Sequence, residues 1–132
     1  MAENPAEIDA IRRTVQKYID GIAHSDVGLV AEAFHPDASM SGHFSNGFRV
    51  SPASSVVAYM KKLPPTSEHS PKFRGRILHV RCDGTLATAT IAEDQLQGRD
   101  FITHFHLHKV DSNWLITAKA TYAADPTPAR PG

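Results

Sequence analysis

Residues 101–122 read FITHFHLHKV, then DSN, then WLITAKATY. Two runs of about ten residues, rich in β-branched and aromatic types, flank a cluster of turn formers, the pattern of a β-hairpin. In the first run Phe101, Thr103, Phe105 and Leu107 alternate with Ile102, His104, His106 and His108, and side chains two apart share a face. One face is therefore apolar, and the other carries three imidazoles. At roughly 3.3 Å per residue each strand spans about 33 Å, too long to persist unless another part of the chain covers the apolar face.

The chain of 132 residues is expected to form one domain over 1–132, large enough for a single core. Lys plus Arg and Asp plus Glu both number 14, so the net charge is zero and the footprint of a nucleic-acid binder is missing. The single Cys82 excludes an internal disulfide, and MAENPAE shows neither the basic nor the apolar region of a secretory signal. A cytoplasmic protein is expected, with no membrane partner, since no apolar run approaches the ~18 residues that span a bilayer. No cofactor is expected.

From the N-terminus, Asn4, Pro5 and Glu7 form a helix entry, and Ile8, Ile11, Val15, Tyr18, Ile19 and Ile22 make an apolar stripe at helical spacing. Ser25 and Asp26 cap a second, short helix stopped by Pro36. Residues 38–50 read as short extended pieces around Asn46-Gly47, a small hairpin. Ser51-Pro52 opens a third helix carrying Val56, Met60 and Leu63, ended by Pro64-Pro65. Residues 65–72 are expected to be a surface loop. Strands over 76–82 and 86–96, joined at Asp83-Gly84, lead into the long hairpin. Residues 1–4 and the tail from Ala124, with three prolines in nine residues, are expected to be flexible. Three helices on one face of a curved antiparallel sheet define an α+β domain, and the sheet's curl leaves a pocket that Phe34, Met60 and Phe105 are expected to touch.

Three segments, VQKYIDGIAHSD (15–26), AFHPDA (33–38) and HKVDSNWLITAKA (108–120), resemble the nuclear transport factor 2-like superfamily, and within it the small bacterial group labelled "putative lumazine-binding" and its SnoaL-like relatives. The resemblance covers residues 8–122. It implies a cone-shaped, cystatin-like α+β fold, a homodimer joined through the outer sheet faces, and one small-molecule pocket per subunit. Fold similarity alone fixes no activity, because the superfamily spans isomerases, dehydratases, cyclases and hydrolases. Tyr18 matches the first-helix tyrosine with which ketosteroid isomerases stabilise an oxyanion. Their base would fall in SMSGHF (39–44), which has no carboxylate, and their protonated aspartate falls on Phe105, so isomerase chemistry in that form is not expected. His35 and Lys119 match positions typical of the smaller group.

Tyr18 is thus the candidate catalytic donor, and the stripe equally suits it as a core tyrosine. The candidate ligand contacts are Phe34, His35, Met60, Thr103, Phe105, Trp114 and Lys119. His35 stands either at the pocket mouth or as a cation on the last carbonyls of the second helix. Alternation with Trp114, Ile116 and Ala118 sends Lys119 outward, whereas the resemblance puts it in the pocket. His104 and His106 have the spacing of two metal ligands, with Glu93 or Asp94 as a third, but their alternation with Phe105 places them outside, at the dimer surface. The chain reads as a small-molecule-binding pocket protein. The alternatives are an acid/base enzyme acting on a small apolar carbonyl or ring compound, and a dimeric interaction module.

Overall fold

In the computed structural model, which describes residues 4–44 and 47–124, the chain enters helix α1 (Pro5–His24) through Asn4, whose Oδ1 accepts the Ala6 amide at 3.0 Å. Proline at the first position forfeits no hydrogen bond there. Ser25 ends the helix in the left-handed region, at φ 55°, and Asp26 Oδ1 then accepts from the Leu29 amide at 3.0 Å to start α2 (Val27–Ala33). Gly21 allows the two helices to meet. A Cβ there would lie 2.5 Å from Val30 Cγ2 and 2.9 Å from the Val30 nitrogen.

The remaining elements are β1 (Phe34–Phe44), β2 (Gly47–Pro52), α3 (Ser54–Met60), α4 (Thr66–His69), β3 (Arg74–Asp83), β4 (Leu86–Leu96), β5 (Arg99–Val110) and β6 (Asn113–Ala123). The strands form one sheet in the order β2-β1-β6-β5-β4-β3, antiparallel except for the β1–β6 pair. The fold is α+β, with a curved six-stranded sheet and the helices on its inner face. The long hairpin turns on Asp111 and Ser112, at φ 49° and 69°, the two left-handed residues that a tight two-residue turn needs. Asn113 already belongs to β6.

The parallel β1–β6 pairing was not expected from the sequence, because period-two alternation specifies a strand and not its neighbour. Pro36 does not stop α2, which ends at Ala33; it sits in the irregular part of β1 between Phe34 and Ser39. The third helix starts later than expected. Pro52 pairs with Ser39 and the Ala53 amide donates to the Ala38 carbonyl at 2.8 Å, so sheet pairing holds this stretch until Ser54. The expected surface loop over 65–72 contains α4. Thr66 is buried there, its Oγ1 donating to the Ile22 carbonyl at 2.6 Å, and Ser70 Oγ accepts from the Gln97 amide at 2.7 Å. Hydroxyl-to-backbone anchors of this kind leave no apolar periodicity to read. The β1–β2 hairpin is present, but Asn46 of its turn lies outside the described residues, as do 1–3 and 125–132 of the two termini.

The core joins Ile11, Val15 and Ile19 of α1 to Ile91, Phe105, Leu107 and Ile116 of the sheet. At one end, Glu7 accepts from Lys109 Nζ at 2.6 Å and from Trp114 Nε1 at 3.1 Å. These two bonds, the lysine's first, hold its carboxyl below the usual range. They fasten the start of α1 to the tip of the long hairpin. Among the described residues no helix is long and apolar enough to cross a membrane.

Candidate functional site

One irregularity decides what the inner face of β6 presents. Leu107 pairs with Ile116 and His106 with Ala118, so Thr117 has no counterpart on β5. Such a bulge inserts one residue and reverses the alternation beyond it. Trp114 and Ile116 face the core before it, and Lys119 faces inward after it, 7 % exposed. Simple alternation would have sent Lys119 to solvent.

Lys119 lines a cavity of about 650 Å³ between the helices and the inner sheet face. The lining includes Tyr18 and Ile22 of α1, Met40 of β1, and Val56 and Met60 of α3, together with polar side chains such as His43, Arg49, Gln97 and Arg99. The Tyr18 ring is held edge-on by Phe34 and Phe105, with ring centroids 5.8 and 5.2 Å away. Its hydroxyl has no hydrogen-bond partner among the described residues.

Glu93 of β4 also lines the cavity and is 2 % exposed. Its Oε1 accepts from Thr103 Oγ1 at 3.2 Å, Thr103 Oγ1 lies 3.1 Å from Thr121 Oγ1, and Lys119 Nζ donates to Thr121 Oγ1 at 2.8 Å. A chain of four side chains thus crosses β4, β5 and β6. Glu93 Oε2 is buried with no partner among the described residues. Burial is the main force on all three ionisable groups, because a charge loses its hydration there. It raises the Glu93 carboxyl, opposed by Lys119 and the Thr103 bond. It lowers the Lys119 ammonium, opposed by Glu93. It pushes the Tyr18 phenol well up, with Glu93 adding to the shift. Acid–base groups of perturbed pKa gathered in one cavity are the raw material of proton transfer.

Of the residues singled out from the sequence, Tyr18, Met60 and Lys119 line this cavity together. Phe34 and Phe105 do not; they stand behind Tyr18 and fix its ring. Thr103 is fully buried and acts through Glu93. Trp114 lies at the Glu7 end of the sheet. His35 neither lines the cavity nor caps α2: its Nδ1 accepts the Asp37 amide at 2.9 Å inside β1. Glu93 is the residue sequence reasoning left out of the pocket. The run Ala87, Ala89, Ile91, Glu93 on alternate positions carries the signal, a carboxylate where the pattern demands an inward apolar side chain.

His104, His106 and His108 are exposed on the outer sheet face. Glu93 points to the opposite side and Asp94 pairs with Arg76 at 3.1 Å, so neither converges with the histidines as a metal ligand. Beside His104 and Ala120, Ile102 and Tyr122 border a shallow groove.

The family model described as "Putative lumazine-binding" matches residues 6–122. A search of the curated proteins gives no match. Among solved structures, an NTF2-like protein of unknown function from Shewanella baltica OS155 has 24 % identity and a TM-score of 0.83, covering 94 % of this chain and 98 % of that one. A second NTF2-like protein of unknown function, from Methylobacillus flagellatus KT, has 21 % identity and a TM-score of 0.82, covering 92 % and 95 %. A ketosteroid isomerase-like protein from Erwinia carotovora atroseptica SCRI1043 has 14 % identity and a TM-score of 0.70, covering 93 % and 100 %. At these identities the likeness is one of fold.

Proposed function

The chain belongs to the "putative lumazine-binding" family, with the nuclear transport factor 2-like fold, and from that premise we propose that its cavity binds a small, largely apolar molecule. The polar end of the ligand rests on Tyr18, Glu93 and Lys119. What supports the reading is the buried Glu93 carboxyl, one oxygen of which has no partner among the described residues, beside a cavity whose lining includes Ile22, Met40, Val56 and Met60 together with polar side chains such as Ser51, Ser55 and Gln97. An unpartnered buried oxygen costs about 1–3 kcal/mol, which a ligand donor or a bound water recovers. Lone Cys82 fits work in a reducing cytoplasm. The exposed histidine strand and Tyr122 fit self-association through the outer sheet face.

The test is an NMR titration of the labelled protein with cyclohexanone, an apolar ring with one carbonyl acceptor. Amide shifts clustered on Tyr18, Met60, Glu93 and Lys119 are expected. Shifts confined to the outer face, or none, would overturn the reading.

A second reading, acid/base catalysis on a small carbonyl compound, is favoured by one observation. Glu93, a lining residue of the cavity, combines a raised proton affinity with an oxygen that has no partner among the described residues, as suits a general base. Glu93 Oε2 would take the proton α to the carbonyl, while Tyr18 and Lys119 hold the enolate oxygen. In D₂O the enzyme would exchange the α-hydrogens of cyclohexanone for deuterium, and Glu93→Gln would stop the exchange. No exchange above the buffer rate would leave binding alone.

A further inference from the structure

Hydrogens on the cavity floor can be counted. Thr103 has one hydroxyl hydrogen, and it is donated to Glu93 Oε1. In its contact with Thr121, Thr103 therefore accepts, so the single Thr121 hydrogen is used there. Thr121 is left to accept from Lys119 Nζ. With the Glu93 carboxyl ionised and accepting from Thr103, the remaining bond directions follow from these one-hydrogen limits.

Within the Tyr18, Glu93 and Lys119 group, three functions remain uncommitted among the described residues. Glu93 Oε2 is an acceptor without a donor. Lys119 Nζ has three hydrogens and uses one on Thr121. The Tyr18 hydroxyl has none of its bonding committed among the described residues. One acceptor beside two donors is the complement of a group that both donates and accepts. A singly charged head set between Glu93 and Lys119 meets one group of its own sign, in a pair that is itself buried; the cavity's lining also includes Arg49, Lys62 and Arg99.

We propose that the cavity takes an uncharged secondary amide or lactam at the end of an apolar body, its N–H on Glu93 Oε2 and its carbonyl oxygen on Lys119 Nζ and Tyr18 Oη. The proposal rests on the binding reading above and narrows it to a ligand class.

Three probes of nearly one shape separate the two. NMR titrations at pH 8 compare δ-valerolactam, N-methyl-δ-valerolactam and cyclohexanone, which share a six-membered ring and a carbonyl. Only the first carries the donor. A site built to hydrogen-bond a ligand N–H rejects analogues lacking it, so the lactam should bind at least about tenfold tighter than either other probe. In Glu93→Gln the side-chain carbonyl keeps the Thr103 bond and the amide nitrogen meets the ligand, so the preference should vanish or reverse. Equal binding of all three to the wild type would overturn the ligand class while leaving the pocket reading intact. Binding by none would overturn both. A lactam preference that survives Glu93→Gln would also overturn it, because the donor would then be read elsewhere.

Discussion

Lys119 and Glu93, oppositely charged and both buried, are not paired with one another: the ammonium bonds Thr121, and among the described residues no ion pair within 4.0 Å joins it to the carboxylate. Strand β5 stands between their strands, and its Thr103 carries the connection. Each group therefore loses hydration without the full compensation of contact, and the charge pair costs stability. Sites kept for binding or chemistry often show this trade.

The first prediction follows from the Glu93 carboxyl, which is raised by burial. Its folded pKa exceeds the unfolded one, so the native state binds more protons in the interval between them. The stability it contributes is present below about pH 4.5 and is lost as pH rises through the folded pKa. Glu93→Gln does not titrate. In thermal melts the variant should gain on the wild type as pH rises above 4.5 and through the folded pKa of Glu93. A difference independent of pH would show that Glu93 is not disfavoured as an anion.

Tyr18→Phe keeps the ring that packs on Phe34 and Phe105 and removes the hydroxyl on the cavity. The melting temperature should change little. Affinity for cyclohexanone should fall by about 1–3 kcal/mol, the scale of a lost buried hydrogen bond. An unchanged dissociation constant would make the hydroxyl idle and the tyrosine a packing residue.

The outer sheet face carries Tyr122, 67 % exposed, beside Ile102 and the exposed His104. Light scattering at micromolar concentration and neutral pH should give about twice the 14.4 kDa chain mass. Tyr122→Glu should shift the protein toward the single mass, since an unpaired charge is costly in a dimer interface. A wild-type monomer would refute association through this face.

The hairpin was legible from β5 and the turn that follows, because period-two alternation holds along that strand, from Phe105 and Leu107 inward to His104 and His106 outward. Helix α1 was equally plain, from its Asn4 cap to its apolar stripe. Pairing across distance was not legible. Nothing local tells β1 to lie parallel to β6, and the bulge at Thr117 arises from pairing with β5, so Lys119 could not be assigned a face from its own strand. Tyr18, Phe34 and Phe105 are buried as their patterns demand, but Phe34 and Phe105, expected on the cavity, pack on the Tyr18 ring instead. Glu93 was visible as an anomaly in an alternating strand; its role emerges only when β5 and β6 bring Thr103, Thr121 and Lys119 alongside.

The most direct test is a crystal structure of the protein soaked with cyclohexanone. Density for the ring should lie between Met60 and the inner sheet face, with the carbonyl oxygen within hydrogen-bond reach of Tyr18 Oη or Lys119 Nζ, about 2.6–3.2 Å. An empty cavity at saturating probe, or a ring bound on the outer face beside His104 and Tyr122, would contradict the assignment of this cavity as the binding site.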